Sequence, residues 1–127
     1  MITEKIVKNI IRRREREIHK GDCGRVLIVA GSRGMAGAAV LCGRAALRAG
    51  AGLVRLAIPQ ELFPIIQISV PEATCVERSL LQSEDLVAYD AIAAGPGLGE
   101  SKESVEIVKM ILESYEGSLI LDAHGLN

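Results

Sequence analysis

The stretch of sequence that decides the fold runs from residue 25 to residue 59 and reads RVLIVAGSRGMAGAAVLCGRAALRAGAGLVRLAIP. It opens on an apolar run, residues 25–31, whose branched side chains and flanking glycines predict a buried strand. Helical character follows from Gly37 to Ala49, and a second apolar run ends at Pro59. A strand, a helix and a second strand within about 35 residues are typical of a right-handed βαβ unit.

The rest of the chain repeats this alternation. The chain has 127 residues, which suits a single core, and 49% of them are hydrophobic, with one Phe, two Tyr and no Trp. An aliphatic core of this kind is usual for a parallel sheet covered by helices. The further predicted elements are a short helix at 60–69 interrupted by Pro64, a strand at 72–77, a short helix at 83–89, a strand at 90–95, a helix at 101–115 and a strand at 118–123.

These elements predict a three-layer α/β fold with a mainly parallel sheet built from βαβ units. We assign residues 1–127 to one domain, with a helical segment at 1–17 and the α/β body at 18–127. The best-marked helix begins after Ser101, which can cap it. Its predicted core-facing stripe consists of Val105, Val108, Ile111, Leu112 and Tyr115.

The sequence also predicts how two other helices pack. At the N-terminus, Thr3 can cap a helix whose apolar residues fall on one face, so we expect it to pack against the outside of the body. The helix at 37–49 is apolar around most of its circumference and carries two charges, Arg44 and Arg48. Because a helix of this kind is usually covered on more than one side, we infer a partner surface there.

Composition and charge exclude several classes of protein. The net charge of −1 gives no field that would attract nucleic acid or anionic lipid, and Glu15 and Glu17 interrupt the arginines of IIRRRERE, as in a solvated helix end. The three cysteines are widely spaced and form no CxxC pair, which favours neither disulfides nor a zinc site. No apolar run reaches the roughly 20 residues that span a bilayer. We therefore expect a cytoplasmic protein with no membrane, nucleic-acid or metal site.

Two glycine-rich segments follow predicted strands and precede predicted helices, which is where open α/β sheets bind ligands. In GSRGMAGAA, the glycines Gly31, Gly34 and Gly37 let the backbone approach a ligand, and the next helix begins with free amides suited to a phosphate or carboxylate. In GPGLG, at 95–99, Pro96 stiffens the turn while the glycines keep side chains away from whatever lies above it. Both segments would face one crevice.

Other interpretations of these segments stay open. The first also fits a tight turn that binds nothing, and the second also fits the glycine loop of a methyltransferase, with Asp122 contacting a ribose. Asp122 and His124 are two positions apart at a predicted strand end, a spacing that could suit a metal, although two ligands do not make a site. His19 and Asp22 are most simply loop and turn residues.

Three segments, in this order, carry a resemblance to a known family: HKGDCGRVLIVAGSRGMAGAAVLCGRAALRAGAGLV, DAIAAGPGLG and LILDAHGLN. Together they resemble the ADP-dependent NAD(P)H-hydrate dehydratases, a carbohydrate-kinase-related group with a ribokinase-like fold. The resemblance runs from about Arg13 to Asn127. It is specific because the HKGD, GSxGxxGAA and GPGLG signatures occur together.

The resemblance implies an enzyme that repairs nicotinamide nucleotides. The family spends ADP or ATP to remove, as water, the hydroxyl group at C6 of the hydrates of NADH and NADPH (NADHX and NADPHX), because phosphorylation makes that hydroxyl a good leaving group. By the resemblance, Ala38 and Gly97 line the hydrated nucleotide. Gly31, Gly37 and Asn127 are further candidates for substrate binding, and Mg²⁺ is the cation expected with ADP or ATP.

The chain also departs from the family's pattern. Family members are much longer, and the GxGD motif whose aspartate is the catalytic base is absent from this sequence. Asp22 of HKGD does not replace that aspartate, and His124 stands where the family carries an acid. We therefore expect a truncated domain that supplies part of the site and contains no catalytic residue of its own.

Two other functions stay open on the sequence. One is a non-catalytic module for binding or assembly, and the other is a small-molecule kinase of the ribokinase type. A sheet that ends after Leu121 has an unpaired edge. A chain of 127 residues is also too short to cover the apolar helix at 37–49 on more than one side. For both reasons we expect a homo-oligomer.

Overall fold

The computed structural model describes residues 1–10 and 24–122, and these residues form one sheet of five strands. Every pairing between neighbouring strands is parallel, and the spatial order is β3-β2-β1-β4-β5. This order confirms the predicted α/β class and the parallel sheet. The strands are β1 (Arg25–Val29), β2 (Leu53–Ile58), β3 (Thr74–Glu77), β4 (Ala91–Ala94) and β5 (Ser118–Leu121).

Helices and 3-10 helices connect the strands. Each predicted element has a counterpart among the described residues, although its ends are shifted by several positions or lie partly outside them. The α-helices are α1 (Glu4–Ile10), α2 (Ala36–Ala49), α3 (Phe63–Ser69) and α4 (Lys102–Ser114), and the 3-10 helices are Gln60–Leu62, Arg78–Leu80 and Ser83–Ala88. No helix in the described part of the chain is long and apolar enough to cross a membrane.

The alternation of side chains along the strands divides the core into two halves. One face of the sheet packs Ile28, Leu56 and Ile58 against α2 and α3. The other face packs Leu27, Val29 and Ile92 against α4, the 3-10 helix at Ser83–Ala88 and Leu81. The result is the predicted three layers, with helices on both faces of a parallel sheet.

Two of the predicted helices differ in detail from the structure. Pro64 does not interrupt α3, because it is the second residue of that helix and its missing N–H has no partner to lose in the first turn. The segment predicted as a short helix at 83–89 is a 3-10 helix, Ser83–Ala88. It begins with a reciprocal pair of hydrogen bonds between Gln82 and Asp85.

The buried stripe of α4 is also different from the predicted one. Its buried residues are Ser104, Ile107, Val108 and Ile111, whereas Val105 and Leu112 are more than half exposed. A serine can lie on the buried face because its Oγ donates a hydrogen bond to the carbonyl of Leu98 at 2.9 Å. The predicted cap is confirmed, since the Oγ of Ser101 accepts a hydrogen bond from the Ser104 amide at 3.1 Å.

The structure contains the cap predicted for α1 but not its predicted packing. The Thr3 Oγ1 accepts a hydrogen bond from the Ile6 amide at 3.3 Å, as a cap does. The packing predicted for α1 is not seen, because no side chain of this seven-residue helix is buried. Residues 11–17 of the predicted helical segment lie outside the described residues.

The α2 helix buries Ala39 and Gly43 against the sheet and leaves Leu41 68% exposed, so the described chain covers it on one side.

Candidate functional site

The candidate site lies at the point where the order of the strands reverses. β1 and β4 are neighbours and end level with each other, with Val29 opposite Ala94. After β1 the chain passes to α2 on one face of the sheet, and after β4 it passes to α4 on the other face. Open α/β sheets bind ligands at such a switch point, beyond the carboxyl ends of the strands. The two predicted glycine segments, which we call loop 1 (residues 31–35) and loop 2 (residues 95–99), meet here.

Direct hydrogen bonds hold the two loops together. The Gly31 amide donates to the carbonyl of Pro96 at 2.9 Å, and the Ser32 Oγ donates to the carbonyl of Gly97 at 2.8 Å. Gly97 has a φ of 65°, and a Cβ built on it would lie 2.7 Å from the Cβ of Ala38. Ala38 and Gly97, the pair implied by the resemblance, are therefore neighbours in space.

The other predicted site residues lie in different environments. Gly31 is buried at the contact between the loops, where a Cβ would lie 3.0 Å from the Cβ of Ala39. Gly37 is exposed, and a Cβ on it would meet nothing within 4 Å. Asp122 follows β5, and its amide donates to the carbonyl of Ala94 at 3.0 Å. Three further candidates, His19, His124 and Asn127, lie outside the described residues, as does Asp22.

An open groove of about 570 Å³ lies beside loop 1, between the start of α2 and the start of α3. No side chain caps the N-terminus of α2, because Met35 occupies the cap position, and the amides of its first turn point toward the loop side. Such an end attracts anionic groups. The groove is lined by Arg33, Gly34, Ala36, Gly37, Glu61, Leu62 and Ile65.

A smaller cavity of about 130 Å³ lies at the opposite, amino-terminal end of the strands and is lined by residues that include Arg25, Arg55 and Tyr89. It is distant from the switch point and contains none of the predicted site residues. Among the described residues, no three His, Cys, Asp or Glu side chains are grouped so that they could hold a metal ion. We therefore place the candidate site at loops 1 and 2 and the groove beside them.

Asp122 also influences the chemistry of α2. Burial raises the pKa of the Cys42 thiol, and the negative charge of Asp122 raises that pKa further. Burial raises the pKa of the Cys75 thiol as well, while a hydrogen bond from Gln67 lowers it.

Sequence reasoning missed one residue near the loops. Arg78, at the start of the 3-10 helix Arg78–Leu80, is 4% exposed and contacts the end of β1 and the start of α4. Its sequence context, VERSL, is typical of an exposed polar turn, so no local pattern indicates burial. Only the three-dimensional arrangement brings the guanidinium under loop 1.

The fold is that of a known structural class. A ribokinase-like superfamily protein from Enterococcus faecalis aligns with a TM-score of 0.89 and 28% identity, over 98% of this chain and 45% of that protein. An ADP/ATP-dependent NAD(P)H-hydrate dehydratase from Bacillus subtilis, co-crystallised with ATP and Mg²⁺, aligns with a TM-score of 0.85 and 36% identity, over 98% of this chain and 46% of that one. The predicted ribokinase-like class is confirmed.

The family follows from the sequence as well as the fold. The family model described as Carb_kinase, NAD(P)H-hydrate dehydratase, matches residues 26–127, and the chain belongs to this family. It is 42% identical, over 95% of its length, to the bifunctional NAD(P)H-hydrate repair enzyme Nnr of Methanopyrus kandleri, of which it covers 25%. It is 36% identical, over 98% of its length, to the ADP-dependent (S)-NAD(P)H-hydrate dehydratase of Listeria monocytogenes, of which it covers 47%. The chain thus spans between a quarter and a half of the length of these relatives.

The contact between the loops predicts different costs for two glycine substitutions. Gly34→Ala places a Cβ at a φ of 85°, with no atom of the described residues within 4 Å of it. The left-handed conformation alone should therefore lower the free energy of unfolding by about 1 to 2 kcal/mol. Gly97→Ala adds a clash with Ala38 and with the Met35 carbonyl, 2.9 Å away, and should lose at least about 1 kcal/mol more. Urea unfolding at 25 °C measures both free energies of unfolding. Equal losses would contradict the close contact between the loops.

The charge effect of Asp122 predicts the reactivity of Cys42. Iodoacetamide alkylation at increasing pH, followed for each cysteine by peptide mass spectrometry, should give Cys42 a midpoint above the ordinary thiol value of about 8.5. Asp122→Asn should lower that midpoint while leaving it above the ordinary value, because burial is the larger cause. Cys75 is the internal control and should not respond. A Cys42 midpoint that is unchanged in the variant would place Asp122 away from α2.

Proposed function

We propose that this chain supplies the substrate-binding loops of an NAD(P)H-hydrate dehydratase, an enzyme that uses ADP or ATP to convert the hydrates of NADH and NADPH back to the reduced nucleotides. Membership of the family and the names of the relatives support this proposal. The geometry supports it too, because the residues implied for the substrate, Ala38 and Gly97, meet at the switch point of the sheet.

The observation that carries the proposal is the glycine at position 37. Gly37 lies in the first turn of α2, its φ is not in the left-handed region, and a Cβ would have open space around it. Among residues 1–10 and 24–122, therefore, neither the backbone conformation at position 37 nor any neighbouring atom requires a glycine, which is among the poorest helix formers. A ligand that lies directly against the backbone would require one. The groove beside Gly37 offers room for such a ligand.

Each part of the loops would do a different task. The first-turn amides of α2 would donate to an anionic or carbonyl group of the nucleotide, since no side chain occupies that position. Gly97 and Ala38 present almost no side chain, so a flat ring could lie over them. The chain's described residues would thus bind and orient the hydrated nucleotide, and the base and the remaining contacts would come from residues outside this part.

ADP or ATP, with Mg²⁺, is the proposed co-substrate because relatives use it by name and one was crystallised with ATP and Mg²⁺. The described residues do not fit a complete site for it. No three carboxylate, His or Cys side chains are grouped in residues 1–10 and 24–122, and Arg78 is already paired with Glu103.

We also propose that the protein acts in the cytoplasm and self-associates. The support for self-association is apolar surface on the described residues, where Ile120 of β5 is 67% exposed and Leu41 of α2 is 68% exposed. Surface of this kind favours contact with another polypeptide. The same observation favours the second candidate function, a non-catalytic module for binding or assembly, which would use these surfaces and not the loops.

A pair of matched substitutions in α2 tests the proposed function. Gly37→Ala should stabilise the free protein, by up to about 1 kcal/mol, because alanine favours the helix and meets no neighbour. The same methyl group should weaken binding of NADPH hydrate by about tenfold or more, since it would enter the space of the ligand. Urea unfolding measures the first effect and isothermal titration the second.

Gly43→Ala is the control, because it makes the same change in the same helix on the side that faces the sheet. Its Cβ would lie 3.5 Å from Leu56 and Val70, which is ordinary contact, so the variant should fold and bind the hydrate as the wild type does. If Gly37→Ala binds the hydrate as tightly as Gly43→Ala does, the glycine has no ligand to accommodate and the proposal fails. A wild-type chain that binds no hydrate would also refute it.

A further inference from the structure

A buried positive charge lies directly beneath the candidate site. The side chain of Arg78 is 4% exposed, and Arg78 is the buried charged residue of the described part of the chain. Removing a guanidinium from water is costly unless hydrogen bonds and an opposite charge compensate for it. The contacts of Arg78 therefore indicate what the buried charge holds.

Arg78 joins three segments that are distant in the sequence. Its Nη1 donates to the carbonyl of Gly31 at 2.7 Å and to that of Ala30 at 3.4 Å. Its Nε donates to the Glu103 Oε1 at 3.1 Å, in an ion pair whose carboxylate side chain is 49% exposed. We call this group the Arg78 clamp: the side chains of Arg78 and Glu103 with the carbonyls of Ala30 and Gly31.

The carbonyls of the clamp need a donor. β1 ends at Val29, so Ala30 and Gly31 lie just beyond the ordered pairing of the strands, and both residues are buried. Buried backbone carbonyls are rarely left without a hydrogen bond. A charged donor at 2.7 Å makes a strong and directional one.

Both the backbone amide and the backbone carbonyl of Gly31 are hydrogen-bonded. Its amide donates to Pro96 of loop 2, and its carbonyl accepts from Arg78. Its φ of 77° is in the left-handed region, where the orientation of the neighbouring peptide groups depends on such contacts. Glu103, in the first turn of α4, ties the same guanidinium to the helix that follows loop 2.

We infer that Arg78 is a positioning residue for the candidate site: through the Arg78 clamp it fixes loop 1 against loop 2 in the arrangement that binds the hydrated nicotinamide nucleotide. This inference rests on the proposed function for the identity of the ligand. The hydrogen bonds of its Nη1 and Nε go to Gly31, Ala30 and Glu103, and Arg78 does not line the groove beside loop 1, so we assign it no contact with the ligand. An apolar side chain of similar size could fill the same space, but it could not orient the Gly31 carbonyl.

Three variants of the full chain test the inference. Arg78→Met removes the charge and the donors while keeping most of the volume, and Arg78→Lys keeps the charge but loses the forked geometry. Arg55→Met is the matched control, because Arg55 is exposed and bonds Thr74 and Tyr89 at the opposite end of the sheet. Each variant is measured at a temperature where circular dichroism shows it folded.

Two readouts separate positioning from a general loss of stability. The first is hydrogen exchange of the Gly31 amide compared with the amides of β2 in the same sample. In Arg78→Met the Gly31 amide should exchange at least about tenfold faster relative to β2, whereas a merely structural role would raise all these rates together. The second is the dissociation constant for NADPH hydrate, which should rise about tenfold or more in Arg78→Met and less in Arg78→Lys. Arg55→Met should change neither readout.

The outcomes distinguish this inference from the proposed function. If the wild type binds no hydrate, the proposed function fails, and the exchange of the Gly31 amide alone decides whether Arg78 holds the loops. If the wild type binds and Arg78→Met binds equally well, Arg78 does not position the site. Unchanged relative exchange at Gly31 likewise overturns the inference. Should Arg78→Met not fold, the same comparisons are made with Arg78→Lys, where an unchanged Gly31 amide and an unchanged affinity refute it.

Discussion

The hydrogen bond from the Gly31 amide to the Pro96 carbonyl holds together two segments that the fold would otherwise separate. β1 and β4 are neighbours and end level, yet the chain leaves β1 toward one face of the sheet and β4 toward the other. At such a point the loops diverge and open a crevice. Here the backbone of one loop bonds to the backbone of the other, so the two loops together form the floor of the crevice.

This constraint explains the small residues at the site. Backbones that approach this closely leave no room for side chains between them, as the position of Gly97 against Ala38 shows. The same residues then leave a surface with few protruding atoms above the floor. The Arg78 clamp supports that floor from below, and the open start of α2 borders it. The packing of the loops and the capacity to accept a flat polar ligand therefore have one physical cause.

Much of this arrangement could be predicted from local sequence. The apolar runs at 25–31 and 118–123 contain strands, and the glycine segments lie where strand ends and helix starts were expected. These patterns are readable because a strand buried on both faces needs a continuous apolar run and a close loop needs glycine. The pairing of Ala38 with Gly97 came from the family resemblance and not from spacing, and the structure brings the two together.

Features that depend on contacts distant in sequence could not be predicted. Arg78 is buried because three segments converge on it, and its neighbours in the chain give no sign of this. Ser104 lies on the buried face of α4 because of the Leu98 carbonyl, so the apolar stripe alone misplaced that face. Pro64 was expected to interrupt a helix but lies in its first turn, because the predicted start of the helix was too early in the sequence.

The proposed function requires a hydrated nicotinamide nucleotide to bind at the carboxyl edge of the sheet, over the joined loops. Amide chemical shifts in a ¹⁵N-labelled chain titrated with NADPH hydrate test it most directly. We expect saturable shifts at Gly31, Gly37, Ala38 and Gly97, and none at Arg55 and Thr74 at the other end of the strands. Shifts confined to the amino-terminal end, or no saturable shift at the loops, would contradict it.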